Sequence, residues 1–128
     1  GYMTINMMLS APSIFKVGVS GDPVTNWEYY EVMYGERYMD KPEENIEGYK
    51  NSNLTGRVTK LKGRLLVLNS GMDNIVVSKN SISFIQECIQ NNVKVDYFIY
   101  PNHEHGVRGI DAIHQINKAI DYFDLFLK

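Results

Sequence analysis

The 128-residue sequence has a single cysteine, Cys88, which excludes an intrachain disulfide and a cysteine-based zinc site. Cys88 lies in the apolar helical pattern ISFIQECIQ and reads as a buried, inert thiol rather than a nucleophile. Long apolar runs are missing too: nothing approaches the ~18 continuous apolar residues of a membrane helix. Basic charge is scarce. Thirteen Lys and Arg stand against 15 Asp and Glu, for a net charge of −2. No basic stripe exists to neutralise phosphates, which argues against nucleic-acid binding. The densest basic stretch, K-L-K-G-R from Lys60 to Arg64, leads into an apolar run and reads as a solvated strand entry. Repeats, low-complexity tracts and a Gly-rich phosphate loop are all absent. The opening residues do not read as a secretory leader. The opening GYMTINMMLS is already a helical apolar pattern, with no methionine start and no capping residue, so the missing leader does not bear on compartment.

What is present is the composition of one modest domain: 44% hydrophobic, 22% charged and 12% aromatic. That is enough for one core. Tyr2 to Leu9 reads as a helix with Tyr2, Ile5, Met8 and Leu9 on one side. A-P-S breaks it, and IFKVGVSG reads as a short buried strand ending in a Gly-Asp-Pro turn. Trp27 to Met39 is aromatic-rich and reads as helix, closed by the loop DKPEEN. Ile46 to Lys62 reads as short helical turns. In GRLLVLNSG, four consecutive aliphatics, Leu65 to Leu68, predict a parallel strand covered on both faces. Ser78 to Asn91 predicts a helix with Ile82, Ile85 and Ile89 aligned. VKVDYFIYP predicts a third strand. Ile110 to Lys128 predicts a closing helix carrying Ile113, Ile116, Ile120, Phe123 and Leu127. This alternation implies an α/β fold, about three parallel strands with helices on the faces. Three strands make a thin sheet, as expected of part of a larger domain.

Working residues of open parallel sheets gather at the carboxyl ends of the strands. Those ends carry Asp22 after the first strand, Asp73 after the second, and His103 and His105 after the third. An Asp on one loop and a His-Gly on the next fit an Asp–His relay, in which the carboxylate fixes the imidazole tautomer and the imidazole acts as a general base. Either His103 or His105 fits that pattern. His114 falls in the last helical pattern and reads as a surface or packing histidine. The third member of such a relay is a nucleophile, which α/β-hydrolases place first in chain order, on a G-x-S-x-G turn that opens a helix.

The segment WEYYEVMYGERYMDKPEENIEGYKNSN, with its W-x-x-Y-x-x-x-Y-x-E-R-Y-M and P-x-x-N-x-x-x-Y spacings, resembles the dipeptidyl peptidase IV branch of the prolyl oligopeptidase family. IFKVGVSGDPVTNWEYY, LLVLNSGMDN and YPNHEHG are similar to the family's next strand and loop, its acid-bearing strand and its histidine loop. The resemblance covers essentially the whole chain. It implies the C-terminal part of an α/β-hydrolase domain that lacks the upstream strands and the nucleophile elbow. Gly1-Tyr2 fits the last two residues of the family motif G-W-S-Y-G-G-Y, which implies a nucleophilic serine three positions before Gly1.

Carried over residue by residue, the resemblance implies His105 as base, since Glu104-His105-Gly106 reproduces the family's acidic-His-Gly. It implies Asp73 as acid, although Asn69-Ser70 stands where the family has His-Gly, and Asp73-Asn74-Ile75 where it has Asp-Asp-Asn. A shifted register would put Met72 there instead. Trp27, Tyr30 and Tyr34, spaced i, i+3 and i+7, are compatible with simple core packing. The resemblance implies that they line an apolar pocket for a proline or alanine, completed by Val24 and Val76, with Asn74 one step from the family's pocket asparagine. Glu36 and Arg37 are expected to form a structural ion pair or hydrogen-bond network rather than to touch substrate.

The expected function is therefore that of a piece of a serine exopeptidase that cleaves dipeptides after a penultimate Pro or Ala. On this reading the chain supplies the acid, the base and part of the pocket, and is inactive alone. No cofactor or metal is expected. The expected partners are a peptide substrate and the missing upstream hydrolase and propeller segments, in a periplasmic, secreted or membrane-anchored parent. The alternative is a non-catalytic hydrolase-fold homologue acting in binding or assembly. The first strand would lack its family neighbour, and an unpaired apolar edge is an association hazard. A homo-oligomer is expected, with contacts through Ile14 to Val19 or the exposed face of the first helix.

Overall fold

The computed structural model describes residues 1–128. Its elements run in the order α1 (Tyr2–Ser10), β1 (Val17–Gly21), a 3₁₀ turn (Trp27–Tyr29), α2 (Val32–Met39), α3 (Ile46–Ser52), a second 3₁₀ segment (Thr55–Lys60), β2 (Arg64–Ser70), α4 (Lys79–Gln90), β3 (Asp96–Tyr100) and α5 (Ile110–Phe126). The strands form one sheet in the order β1-β2-β3, all parallel, with Val17 opposite Arg64 and Leu66 opposite Asp96. The α/β class expected from the sequence is the class observed.

The central strand explains the layering. Successive residues of β2 point to opposite faces of the sheet, and Leu65 to Leu68 are all buried. Leu65 and Val67 join a core with Ile5, Met8 and Leu9 of α1, Phe84 and Cys88 of α4, and Leu54, Val58 and Leu61. Leu66 and Leu68 join the other core, with Tyr100 of β3 and Tyr122 of α5. An aliphatic run with no polar alternation is what a strand covered on both sides requires.

Four local expectations change. The aromatic segment is not one helix. The Asn26 side chain accepts from Glu28 N–H and caps the 3₁₀ turn, then Tyr30 and Glu31 adopt extended backbone before α2 starts. Glu31 is a good helix former, so propensity does not set the break; α2 packs instead against α3, where a Cβ on buried Gly35 would be in ordinary contact, 3.5 Å, with the Tyr49 hydroxyl. In α4, Ile82 and Ile89 are exposed, and the buried face is Ser81, Phe84 and Cys88. The isoleucine stripe sits beside the one that seats the Phe84 ring. In α5, Ile113, Ile116 and Ile120 are exposed. That helix is turned by its aromatic end, where the Tyr122 hydroxyl donates to Asp96 at 2.6 Å and the Arg64 guanidinium lies 4.3 Å from the Phe126 ring centre. Finally, Glu36 and Arg37 form no ion pair with each other; the Arg37 guanidinium lies over the Tyr38 ring at 5.6 Å.

One mismatch in strand length matters for the site. β1 ends opposite Leu68, whereas β2 continues to Ser70. Asp22 N–H still donates to the Leu68 carbonyl at 2.9 Å, but beyond that point β1 has no backbone to offer Ser70.

Candidate active site

The loops after β2 and β3 meet at the carboxyl edge of the sheet. Gly71 N–H donates to the Tyr100 carbonyl and Met72 N–H to the His103 carbonyl, each at 2.9 Å. Gly71 makes the first contact possible: a Cβ there would lie 2.6 Å from the Pro101 carbonyl oxygen. Met72 is exposed and the next residue, Asp73, turns inward and is buried. Asp73 Oδ1 accepts from the N–H groups of Ile75 and Val76 at 2.9 and 2.8 Å. This turn fixes the carboxylate and leaves Oδ2 free for a partner.

That partner is His105. Its Nδ1 lies 2.7 Å from Asp73 Oδ2, with the Asp73 side chain fully buried and the His105 side chain 46% exposed. A carboxylate that already accepts two N–H bonds is the acceptor for the ring as well, so Nδ1 carries the proton. In the neutral ring Nε2 then keeps its lone pair on the open side. This is the tautomer a general base needs.

The other two histidines are engaged elsewhere. His103 Nε2 lies 2.8 Å from Asp111 in the first turn of α5, and His114 Nδ1 lies 2.9 Å from the Tyr100 hydroxyl. The first bond fastens the histidine loop to α5, and the second fastens the end of β3 to it.

Trp27, Tyr30 and Tyr34 come together despite the break in the helix. Ring centres are 5.5 Å apart for Trp27–Tyr30, 5.2 Å for Tyr30–Tyr34 and 5.9 Å for Trp27–Tyr34, the last pair stacked. Trp27, Tyr34, Tyr38, Gly35 and Met39 line an apolar hollow of about 220 Å³. The Tyr2 ring leans on Trp27 at 5.5 Å and ties the cluster to α1. Val24 and Val76 are buried, whereas Asn74 and Ile75 are exposed. A larger concavity, about 520 Å³ between β3 and α5, is lined by Asp96, Tyr122 and Phe126. It is the open flank of the sheet and contains none of the strand-end chemistry.

Three residues carry structure that the sequence reading gave no role. Asp22, in the left-handed region with φ of 39°, accepts from Ser70 N–H at 2.6 Å, from the Ser70 hydroxyl at 2.8 Å and from Gly106 N–H at 3.1 Å. The only sequence signal was its place at a strand end, together with Ser70 in the altered stretch Asn69-Ser70. Asn80 gave no signal. Ligand atoms of Asp22, Asp73 and His105 all lie within 4.8 Å of one another, but the two carboxylates are already committed to hydrogen-bond donors. The arrangement is a hydrogen-bonded network rather than an open cation cage.

The comparisons with known proteins agree on one lineage. The profile of the prolyl oligopeptidase family matches residues 1–128. Among curated proteins, the probable dipeptidyl-aminopeptidase B of Sordaria macrospora is 33% identical over 123 residues and that of Neurospora crassa 35% over 124 residues; each alignment covers 94% of this chain. The chain spans 13% of the length of each of these relatives. Among solved structures, a Bacteroides ovatus protein provisionally assigned as a dipeptidyl aminopeptidase IV superimposes with a TM-score of 0.96 at 47% identity, over 98% of this chain and 18% of that one. Porphyromonas gingivalis dipeptidyl peptidase 4 gives 0.88 at 31%, over 96% and 18%. Fold, strand-end chemistry and sequence match together identify the chain as a member of the prolyl oligopeptidase family.

Proposed function

We propose that these residues serve as the acid–base half of the catalytic site of a serine dipeptidyl peptidase, together with part of its substrate pocket. The observation that carries this reading is the 2.7 Å contact of exposed His105 with fully buried Asp73. In this reading Asp73 holds the imidazole in its Nδ1–H tautomer, and Nε2 takes the proton of a serine hydroxyl as that oxygen attacks the peptide carbonyl. His105 then returns the proton to the departing amine. The serine belongs three positions before Gly1, in a chain of the relatives' length. The packing of Gly1 supports that place: a Cβ on Gly1 would lie 2.5 Å from both the Gly21 carbonyl oxygen and Pro23 Cα. The start of α1 thus abuts the backbone that carries Asp22. The stacked rings of Trp27 and Tyr34, with Tyr30 edge-on to both, suit a pyrrolidine or methyl side chain, whose apolar faces they bury without demanding hydrogen bonds. The names of the relatives, dipeptidyl-aminopeptidase and dipeptidyl peptidase, support the same substrate class.

The test uses Ala-Pro and Gly-Pro chromogenic substrates. The 128-residue chain alone is expected to give no triad-dependent release. A protein of the relatives' length carrying these residues is expected to cleave both. In that protein Asp73→Asn should lower kcat by roughly 10⁴-fold by favouring the wrong tautomer. Full activity of the Asp73→Asn or His105→Ala enzyme would overturn the assignment. A second reading, a hydrolase-fold homologue that binds without cleaving, is motivated by Asn69-Ser70 at the acid loop. A residue other than Ser or Cys three positions before Gly1 would favour it.

A further inference from the structure

We propose that Asp22 is a positioning residue for the Asp73–His105 pair. It anchors His105 through the Gly106 peptide and holds the end of the Asp73-bearing strand through Ser70. The proposal rests on the reading of Asp73 and His105 as an acid–base pair and adds to it a third carboxyl-edge residue, from a different strand.

The argument begins with an accounting of the histidine loop. From Glu104 to Arg108 only one backbone group hydrogen-bonds to protein, the N–H of Gly106, and its acceptor is Asp22 Oδ2 at 3.1 Å. Gly106 has a φ of 82°, which an L side chain rarely adopts. That conformation turns its N–H toward the end of β1. His105 is therefore held at two points, by its ring to Asp73 and by the following peptide to Asp22. Without the second point, the imidazole would hang from a five-residue stretch with no main-chain tether. A general base has to be placed within about 0.5 Å of its working position.

The other half of the carboxylate replaces missing strand. Because β1 stops opposite Leu68, the N–H of Ser70 has no β1 carbonyl, and Asp22 Oδ1 accepts from it at 2.6 Å. The Ser70 hydroxyl donates to Oδ2 at 2.8 Å. Ser70 in turn accepts from Asp73 N–H at 3.3 Å. One carboxylate thus extends the ladder by a rung and accepts from both the end of the Asp73-bearing strand and the histidine loop. Bonds from N–H and O–H to a carboxylate are roughly twice as strong as neutral ones, and they offset the left-handed backbone of Asp22.

The experiment follows amide exchange and the His105 Nδ1–H resonance by NMR in the 128-residue chain and its Asp22→Asn, Asp22→Ala and Asp73→Asn variants. Asp22→Ala is expected to accelerate exchange at Gly106 and Ser70 by about tenfold or more. The His105 resonance should broaden or vanish, while exchange at Val67 in the strand core stays unchanged. Asp22→Asn keeps one acceptor oxygen and nearly the same shape. It is expected to keep Ser70 protected but release Gly106, and it decides the matter if the alanine variant fails to fold. Asp73→Asn is expected to abolish the His105 resonance whatever stands at position 22. If it does not, the acid–base reading itself falls. If it does, but both Asp22 variants leave Gly106 exchange and the His105 resonance unchanged, the positioning role is overturned. Equal acceleration at Val67 would also overturn it, by showing that Asp22 merely stabilises the fold.

Discussion

Asn80 is fully buried at the start of α4, and its side-chain oxygen accepts from the N–H groups of Thr25 and Asn26 at 2.9 and 3.2 Å. Those peptides lead from β1 into the aromatic cluster, so a helix on one face sets the position of a pocket wall. Asn80→Ala leaves two buried donors unsatisfied and is expected to cost about 2–4 kcal/mol in urea denaturation. Tyr122 supports a different prediction. Burial, reinforced by its hydrogen bond to Asp96, pushes its phenol up to about 12, with Arg64 pulling the other way. The folded state therefore holds the proton more tightly than the unfolded chain. The stabilisation that goes with it is intact below pH 10 and is lost as pH rises through about 12. Tyr122→Phe is expected to flatten the loss of stability over that window relative to the parent chain, measured by alkaline denaturation. Asp73 and His105 were legible as residues because each sits in a short local motif at a strand end. Asp22 was legible only as a strand-end carboxylate and Ser70 and Asn80 not at all as partners, because the contacts span 48, 84 and 55 positions and no local pattern encodes them.

At the scale of elements, parallel strands put all the chemistry at one edge, and turn residues decide how closely the loops approach there. Gly71 is one such joint, with Pro101 backbone in the space a side chain would need. Gly71→Ala is expected to cost about 1–3 kcal/mol and to weaken the His105–Asp73 contact, read as lost stability in urea together with a shifted His105 resonance. The strands were legible because an unbroken aliphatic run between turn residues has few alternatives. Helix faces were read less well. Ile82, Ile89, Ile113, Ile116 and Ile120 follow helical spacing yet are exposed. Aromatic residues one step round each helix, Phe84 in α4 and Tyr122 and Phe126 in α5, took the sheet-facing positions. Periodicity reports that an apolar stripe exists; ring size and a tethered hydroxyl decided which stripe faces inward.

For the molecule as a whole, the distribution of apolar surface is the informative quantity. Ile14, Met3, Met33, Ile110, Ile113 and Ile116 are each more than half exposed, and β1 is an edge strand of the sheet. Exposed apolar side chains beside an unpaired edge favour association. Light scattering over a concentration series is expected to show self-association. The variant Ile14→Lys should weaken it by placing a charge on the exposed turn that leads into β1. A constant monomer mass would count against this. The α/β class was legible from the strand–helix alternation alone, whereas the joining of three strand ends into one network was not, since it depends on the relative lengths of β1 and β2.

That joining also has a kinetic side. The bonds linking Asp22 to Ser70, Asp22 to Gly106 and His105 to Asp73 close loops of 48, 84 and 32 positions, and parallel pairing of this kind is slow because chain entropy is lost before the contacts repay it. If Asp22 positions the pair as proposed, the His105–Asp73 contact matures only once β1 has joined β2 and β3. Its resonance is therefore a clock for the end of folding: in a refolding experiment it should appear after the protection of β2 amides, and never ahead of it.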